Sequence, residues 1–244
     1  MTTAVKTTTT RQTTTTDRPT EAATITHYAD PFSPWTRGFQ PILEELRKLY
    51  GDQVRIDIKM GGMARNISQW IEEQQLDQNS VREWITGVSD LAEIEIDDDY
   101  LAKTGVKTTW VGALAFTAAM KHDSRKAVNF LNRMTTGFQV ETQPATRDTI
   151  AEFAQEVGLD GARIVTEAFH ESVISQFAWE RNAMERSELS LDSLQLSFGG
   201  KTKVVEKEFS VNAYEEILEQ IAPGIRKLSN IDQPEVGLNL DHAV

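Results

Sequence analysis

The chain has 244 residues, with 39% apolar and 25% charged side chains, enough for one large globular domain or a domain with a substantial insertion. Its 25 basic residues face 37 acidic ones, a net charge of -12, which argues against nucleic acid as a partner and against anionic membrane surfaces. There is no cysteine, so disulfides, thiolate catalysis, iron–sulfur clusters and cysteine–zinc sites are all excluded.

Residues 1–20 contain eleven threonines and almost no large apolar group, so residues 1–22 are expected to be a disordered tail. Thr24–Ala29 then reads as a short strand. Ser33 is placed to cap a helix whose first turn holds Pro34. That helix carries an apolar stripe at Phe39, Ile42, Leu43, Leu46 and Leu49, with Pro41 expected to kink it. Gly51 and Asp52 close it, and Val54–Lys59 alternates as a second strand, giving a βαβ unit over 23–62 with parallel strands.

A helical block follows over 63–188. Ile67, Trp70 and Ile71 share one face, as do Val81, Trp84, Ile85 and Val88. Trp110–Met120 has the composition of a buried helix, and Ala127, Phe130, Leu131 and Met134 form another stripe. Ile150, Phe153, Ala154 and Val157 define a helix stopped by Gly158, and helical spacing resumes from Ala162 to Glu188. Over 189–225 the period switches to two. Leu194, Leu196 and Phe198 alternate before Gly199-Gly200-Lys201, and Val204 and Val205 follow, which predicts a β-hairpin. Asn212 is expected to cap a last helix with Glu215 three residues on, and residues 226–244 are expected to form a flexible tail.

This order resembles a thioredoxin fold, an α/β architecture, with a helical domain inserted after its βαβ half. Asp30-Pro31-x-Ser33-Pro34-Trp35-Thr36, followed by Gly38-Phe39-Gln40-Pro41-Ile42-Leu43, resembles the DsbA-like thioredoxin family and in particular its FrnE-like branch. Relatives there carry Asp-Pro-x-Cys-Pro-Trp-Cys. Gly61-Gly62, the Ala-rich stretch at 113–119 and Ile150–Leu159 are also similar to family segments, so the resemblance spans about 24–221.

The chain departs from the family at each reactive position. Ser33 stands for the nucleophilic cysteine and Thr36 for the resolving one, and a hydroxyl cannot replace a thiolate in disulfide exchange. Asp192, in Leu191-Asp192-Ser193-Leu194, stands where the family keeps a cis-proline. A cis bond before a non-proline residue costs about 2.5–4 kcal/mol, so a trans bond is expected there. Disulfide oxidoreductase activity is excluded.

Two functional expectations follow from the resemblance. The first is a non-catalytic partner-binding protein, adaptor or chaperone-like as in some FrnE-like relatives. Phe32, Pro34 and Trp35 would form an exposed apolar anchor near His27 and Ser193, and no cofactor would be needed. The second is a serine-using glutathione enzyme similar to kappa-class glutathione transferases and hydroxychromene-carboxylate isomerases. There Ser33 would stabilise the glutathione thiolate at a helix N-terminus, although Asp192 removes the proline that holds the tripeptide in those enzymes.

Other candidates carry less. His27 could act as a base for Ser33, but a hydrolase also needs an orienting acid and an oxyanion hole. The four histidines lack metal-pair spacing, and Glu93, Glu95 and Asp97–Asp99 lack the glycine and ligand alternation of a calcium loop. The five tryptophans read as core residues. No apolar run approaches the roughly 20 residues of a membrane span, and the first residues lack the apolar centre of a secretory signal, so a cytoplasmic location is expected.

Overall fold

The computed structural model describes residues 21–228. The expected tail at 1–22 therefore lies outside them except for its last two residues, and so does 229–244 of the expected tail at 226–244. Residues 226–228 are tied down: Leu228 N–H donates to the Leu49 carbonyl at 2.7 Å, and Arg226 N–H to Gln53 Oε1 at 3.1 Å.

Strand β1 (Ala23–Ala29) leads through residues 30–33 into helix α1 (Pro34–Tyr50). α1 continues through Pro41 as a single element, so the missing proline N–H leaves only the Arg37 carbonyl without its helical partner. Gly51, at φ 55°, ends it as the C-cap, and one 3-10 turn (Gly51–Gln53) leads into β2 (Val54–Met60). β1 and β2 pair in parallel from Ala23↔Val54 to Ala29↔Met60.

Eight helices then intervene before the sheet resumes: α2 (Ile67–Glu73), α3 (Gln78–Ala92), α4 (Tyr100–Lys103), α5 (Trp110–Met120), α6 (Ser124–Gln139), α7 (Arg147–Glu156), α8 (Gly161–Glu167) and α9 (Glu171–Arg186). The helical spacing from Ala162 onward covers two helices. His170 separates them in extended conformation, taking the N-cap position of α9. β3 (Ser193–Phe198) and β4 (Lys201–Glu206) form the hairpin, and Gly199 and Gly200 both adopt positive φ, as a two-residue primed turn demands. The sheet order is β2-β1-β3-β4, with β3 antiparallel to β1. α10 (Val211–Ile221) closes the fold. Its N-cap is Ser210, not Asn212, because the extended backbone ends there; Glu215 turns away from capping and pairs with Lys227 at 2.7 Å.

Two apolar clusters hold the molecule. One lies between the sheet and α1 and α10, built on Ile25, Phe39, Leu46, Leu194, Leu196 and Tyr214. The other fills the helical block around Tyr100, Phe116, Phe130, Phe138 and Phe153, and it includes Phe32 from the β1–α1 loop. The tryptophans lie at the margins of these clusters or outside them: Trp70, Trp84 and Trp110 are partly buried against the helical block, Trp35 against the sheet cluster, and Trp179 is 55% exposed. An indole with a polar edge tolerates a wet boundary. α7 and α8 approach so closely that a methyl group at Gly161 would lie 2.0 Å from the Ala151 carbonyl oxygen.

Candidate functional site

The β1–α1 loop is shaped by Asp30, whose carboxylate is fully buried. It accepts hydrogen bonds from Phe32 N–H at 2.7 Å, Met63 N–H at 2.6 Å and the Thr109 hydroxyl at 2.5 Å. Burial nevertheless dominates and pushes its carboxyl up to about 6, against the pull of those donors. The Asp30 N–H donates to Thr36 Oγ1 at 2.9 Å, and Ser33 N–H donates to the Asp30 carbonyl at 2.9 Å. Two carbonyls of the loop are held from the helical block: the Gln139 side-chain amide donates to Pro31 O at 2.9 Å and to Ser33 O at 3.1 Å. The Tyr100 hydroxyl donates to the Phe32 carbonyl. Burial next to Asp30 raises the Tyr100 pKa well above its ordinary value, so the phenol stays protonated.

Ser33 sits at the N-cap position of α1, but its side chain makes no capping bond. Its hydroxyl is 1% exposed and has no hydrogen-bond partner. Pro34 and Thr36 are buried beside it, and Trp35 is partly buried with its ring stacked on Phe209 at 5.8 Å. Phe32 is 1% exposed and stacks on Phe138 at 4.3 Å. The exposed anchor expected of Phe32, Pro34 and Trp35 is therefore not formed. The physical reason is that the helical block supplies an aromatic slot that removes Phe32 from water.

His27 is equally enclosed, packed edge-on against Phe39 at 5.2 Å between ring centres. Burial lowers its pKa to about 4, so the ring is neutral near pH 7. The Ser193 backbone lies close enough to oppose that shift, but neither ring nitrogen makes a hydrogen bond of good geometry. Nothing in the geometry couples His27 to Ser33 as base to nucleophile. Among the described residues there is no group of three His, Asp or Glu placed to hold a metal ion.

Asp192 lies in a turn satisfied by its own neighbours. Its carboxylate accepts from the Ser190 hydroxyl and faces Lys207 Nζ at 3.5 Å, and its carbonyl accepts from Lys207 N–H at 2.7 Å. Ser193 is buried and donates from Oγ to the Ser190 carbonyl at 2.9 Å. No cis peptide bond occurs among the described residues. The residues that sequence patterns miss here are Thr109, Tyr100 and Gln139, since their link to the loop spans 68 to 108 positions. Asp30 alone was visible, as the first letter of the motif.

Comparison with known proteins bears on the family and the fold. A family model described as Thioredoxin matches residues 27–183, more than half of the chain. Comparison with curated proteins gives no match. The cytosolic disulfide reductase DsbM from Pseudomonas aeruginosa superposes with TM-score 0.63 at 20% identity, covering 81% of this chain and 97% of that one. A 2-hydroxychromene-2-carboxylate isomerase gives TM-score 0.56 at 13% identity, covering 81% and 97%. BdbD from Bacillus subtilis gives 0.52 at 12%, covering 84% and 88%. At such identities the likeness of the structures speaks for fold alone. By the family match the chain belongs to the thioredoxin family; it shares its fold with DsbA-like structures, carries hydroxyls at Ser33 and Thr36 and no cysteine anywhere, and has no cis peptide bond among the described residues.

Proposed function

We propose that this is a non-catalytic DsbA-like protein of the FrnE-like branch that binds a protein partner, in an adaptor or chaperone-like role. The observation that carries the reading is the closure of the former redox site. The two positions where relatives hold sulfur carry hydroxyls, both are buried at 1% exposure, and Asp30 and Gln139 lock the loop that holds them. A site that neither exchanges bonds nor opens to solvent leaves the scaffold's surfaces to do the work. Phe32, His27 and Ser193 are too deeply buried to touch a partner, so Trp35 is the motif residue left to contribute. Nucleic acid is disfavoured by the net charge, and no helix among the described residues is long and apolar enough to cross a membrane. A chain without cysteine needs no oxidising compartment, which suits a cytoplasmic place.

The test is recovery of the tagged chain from its own cells. A stoichiometric, reproducible protein partner is expected, together with no turnover of a reduced dithiol peptide by the purified protein. Recovery of the chain alone at every salt concentration would sink the reading.

A second reading rests on the Ser33 hydroxyl, which is left without a partner at the N-terminus of a 17-residue helix. A serine-type glutathione enzyme would use such a group to hold a thiolate. The isomerase neighbour and the DsbM structure solved with GSH share the fold. Calorimetry with glutathione separates the two: binding abolished by Ser33→Ala favours the enzyme, and no heat at millimolar ligand removes it and leaves the chain without a cofactor.

A further inference from the structure

β2 is an edge strand: among the described residues no strand pairs with its outer side. Gly61 N–H points inward to the Ala29 carbonyl at 2.9 Å, whereas Met60 N–H points outward to the Glu180 carboxylate at 2.8 Å. In a parallel pair the backbone groups of successive residues alternate between the two sides. Ile58 and Ile56 therefore turn their N–H and C=O groups outward as well, and among the described residues no strand covers them.

A groove of about 660 Å³ runs along this edge, between β2 on one side and the end of α5 and start of α6 on the other. Its apolar lining includes Val54, Ile56, Ile58, Met120 and Val128. Arg47, Arg55 and Arg125 converge on it, and none of them forms an ion pair among the described residues. Of the two lining carboxylates, Asp57 is matched by Lys59 at 3.3 Å, which leaves Asp52 against three guanidinium groups. In a chain of net charge -12 this is a local reversal of sign. The groove shares Arg47, Ile56, Ile58 and Val128 with a narrower pocket of about 40 Å³ whose lining also includes His27, Thr36 and Glu44. His27 is 1% exposed, and both its ring nitrogens lack partners, so this pocket's lining includes an unsatisfied polar group.

We propose that this groove binds an extended segment of a partner protein as a strand added to β2, a segment in which aliphatic side chains alternate with carboxylates. The Ile56 and Ile58 backbone would supply the ladder and the apolar lining would take one face of the segment. The arginines would select its charge by bidentate contact with carboxylates. The proposal rests on the partner-binding reading above and gives it a surface other than the closed redox loop itself.

The probe is a fluorescein-labelled octapeptide of alternating valine and glutamate, titrated against the full chain and read by anisotropy. Saturable binding is expected, with no binding of the same peptide carrying lysine for glutamate. Arg55→Glu combined with Arg125→Glu should weaken binding by about tenfold or more, equivalent to about 1.4 kcal/mol, while the melting temperature holds. Ile58→Pro, which deletes one outward donor, should weaken it with the arginines intact. No saturation at millimolar protein, equal binding of the lysine peptide, or indifference to the arginine changes overturns the proposal. It also fails if a chain ending at Leu228 binds the probe far more tightly and a peptide of residues 229–244 displaces it, since the groove would then belong to the chain's own segment. The cellular partner keeps the two readings apart. A partner retained by the double arginine variant refutes the groove alone, and no partner with any variant refutes the function.

Discussion

The backbone N–H of Asp30 donates to the hydroxyl of Thr36 at 2.9 Å, spanning the β1–α1 loop. In relatives the second of these positions carries the resolving cysteine; here its side chain is a structural acceptor. Thr36→Val keeps the shape and removes the acceptor, leaving a buried N–H unpaired. A loss of about 1–3 kcal/mol is expected in urea unfolding, with Thr36→Ser losing much less. Equal stability of all three forms would show that the bond carries no weight.

His27 and Asp30 should give opposite pH dependences. Asp30 has its carboxyl raised from 3.8 to about 6, so its proton stabilises the fold below about pH 4 and that contribution disappears as pH rises through 6. His27 has its pKa lowered from 6.5 to about 4, so its contribution is complete above about pH 6.5 and is lost as pH falls toward 4. Between pH 4 and 6 the two slopes oppose, and the wild-type stability should be nearly level. His27→Leu should expose a decline of about 2–3 kcal/mol with rising pH, and Asp30→Asn an increase of similar size, both read from urea midpoints. Parallel slopes in the two variants would contradict the assignment.

Restoring sulfur should not restore chemistry. Ser33→Cys with Thr36→Cys creates the only two thiols in the chain, both where exposure is 1%. Reaction with a thiol reagent should be at least about tenfold slower than in urea-unfolded protein, because the reactive form must be both ionised and accessible. Fast labelling of the folded variant, or dithiol turnover by it, would mean that the loop opens readily.

Packing at the edges of the helical block gives a fourth expectation. Phe32→Ala removes a ring stacked on Phe138 and should cost about 3–5 kcal/mol. Gly161→Ala forces a methyl group against the Ala151 carbonyl and should cost about 1–3 kcal/mol through separation of α7 and α8. Thermal unfolding of each measures the loss, and an unchanged melting temperature for Gly161→Ala would mean that the helices yield freely.

Local rules made much of this legible. The apolar stripe of α1 and the alternation around Gly199-Gly200 identify their elements because the partners lie close in sequence. The same rules misplace the cap of α10, where Asn212 is a good capping residue but backbone geometry chooses Ser210. They also join α8 to α9, since spacing does not register a single extended residue at His170. Exposure of Phe32 was the larger miss. Its environment comes from Phe138, more than a hundred positions away, and no pattern within the motif reports that slot.

Gln139 grips two carbonyls of a loop that belongs to the other half of the architecture. Splitting the molecule into a sheet fragment and a helical fragment would therefore strip the loop of its outside support and uncover Phe32 in the same stroke. The insertion cannot be pared away as an optional accessory: it completes the mould in which residues 30–36 set.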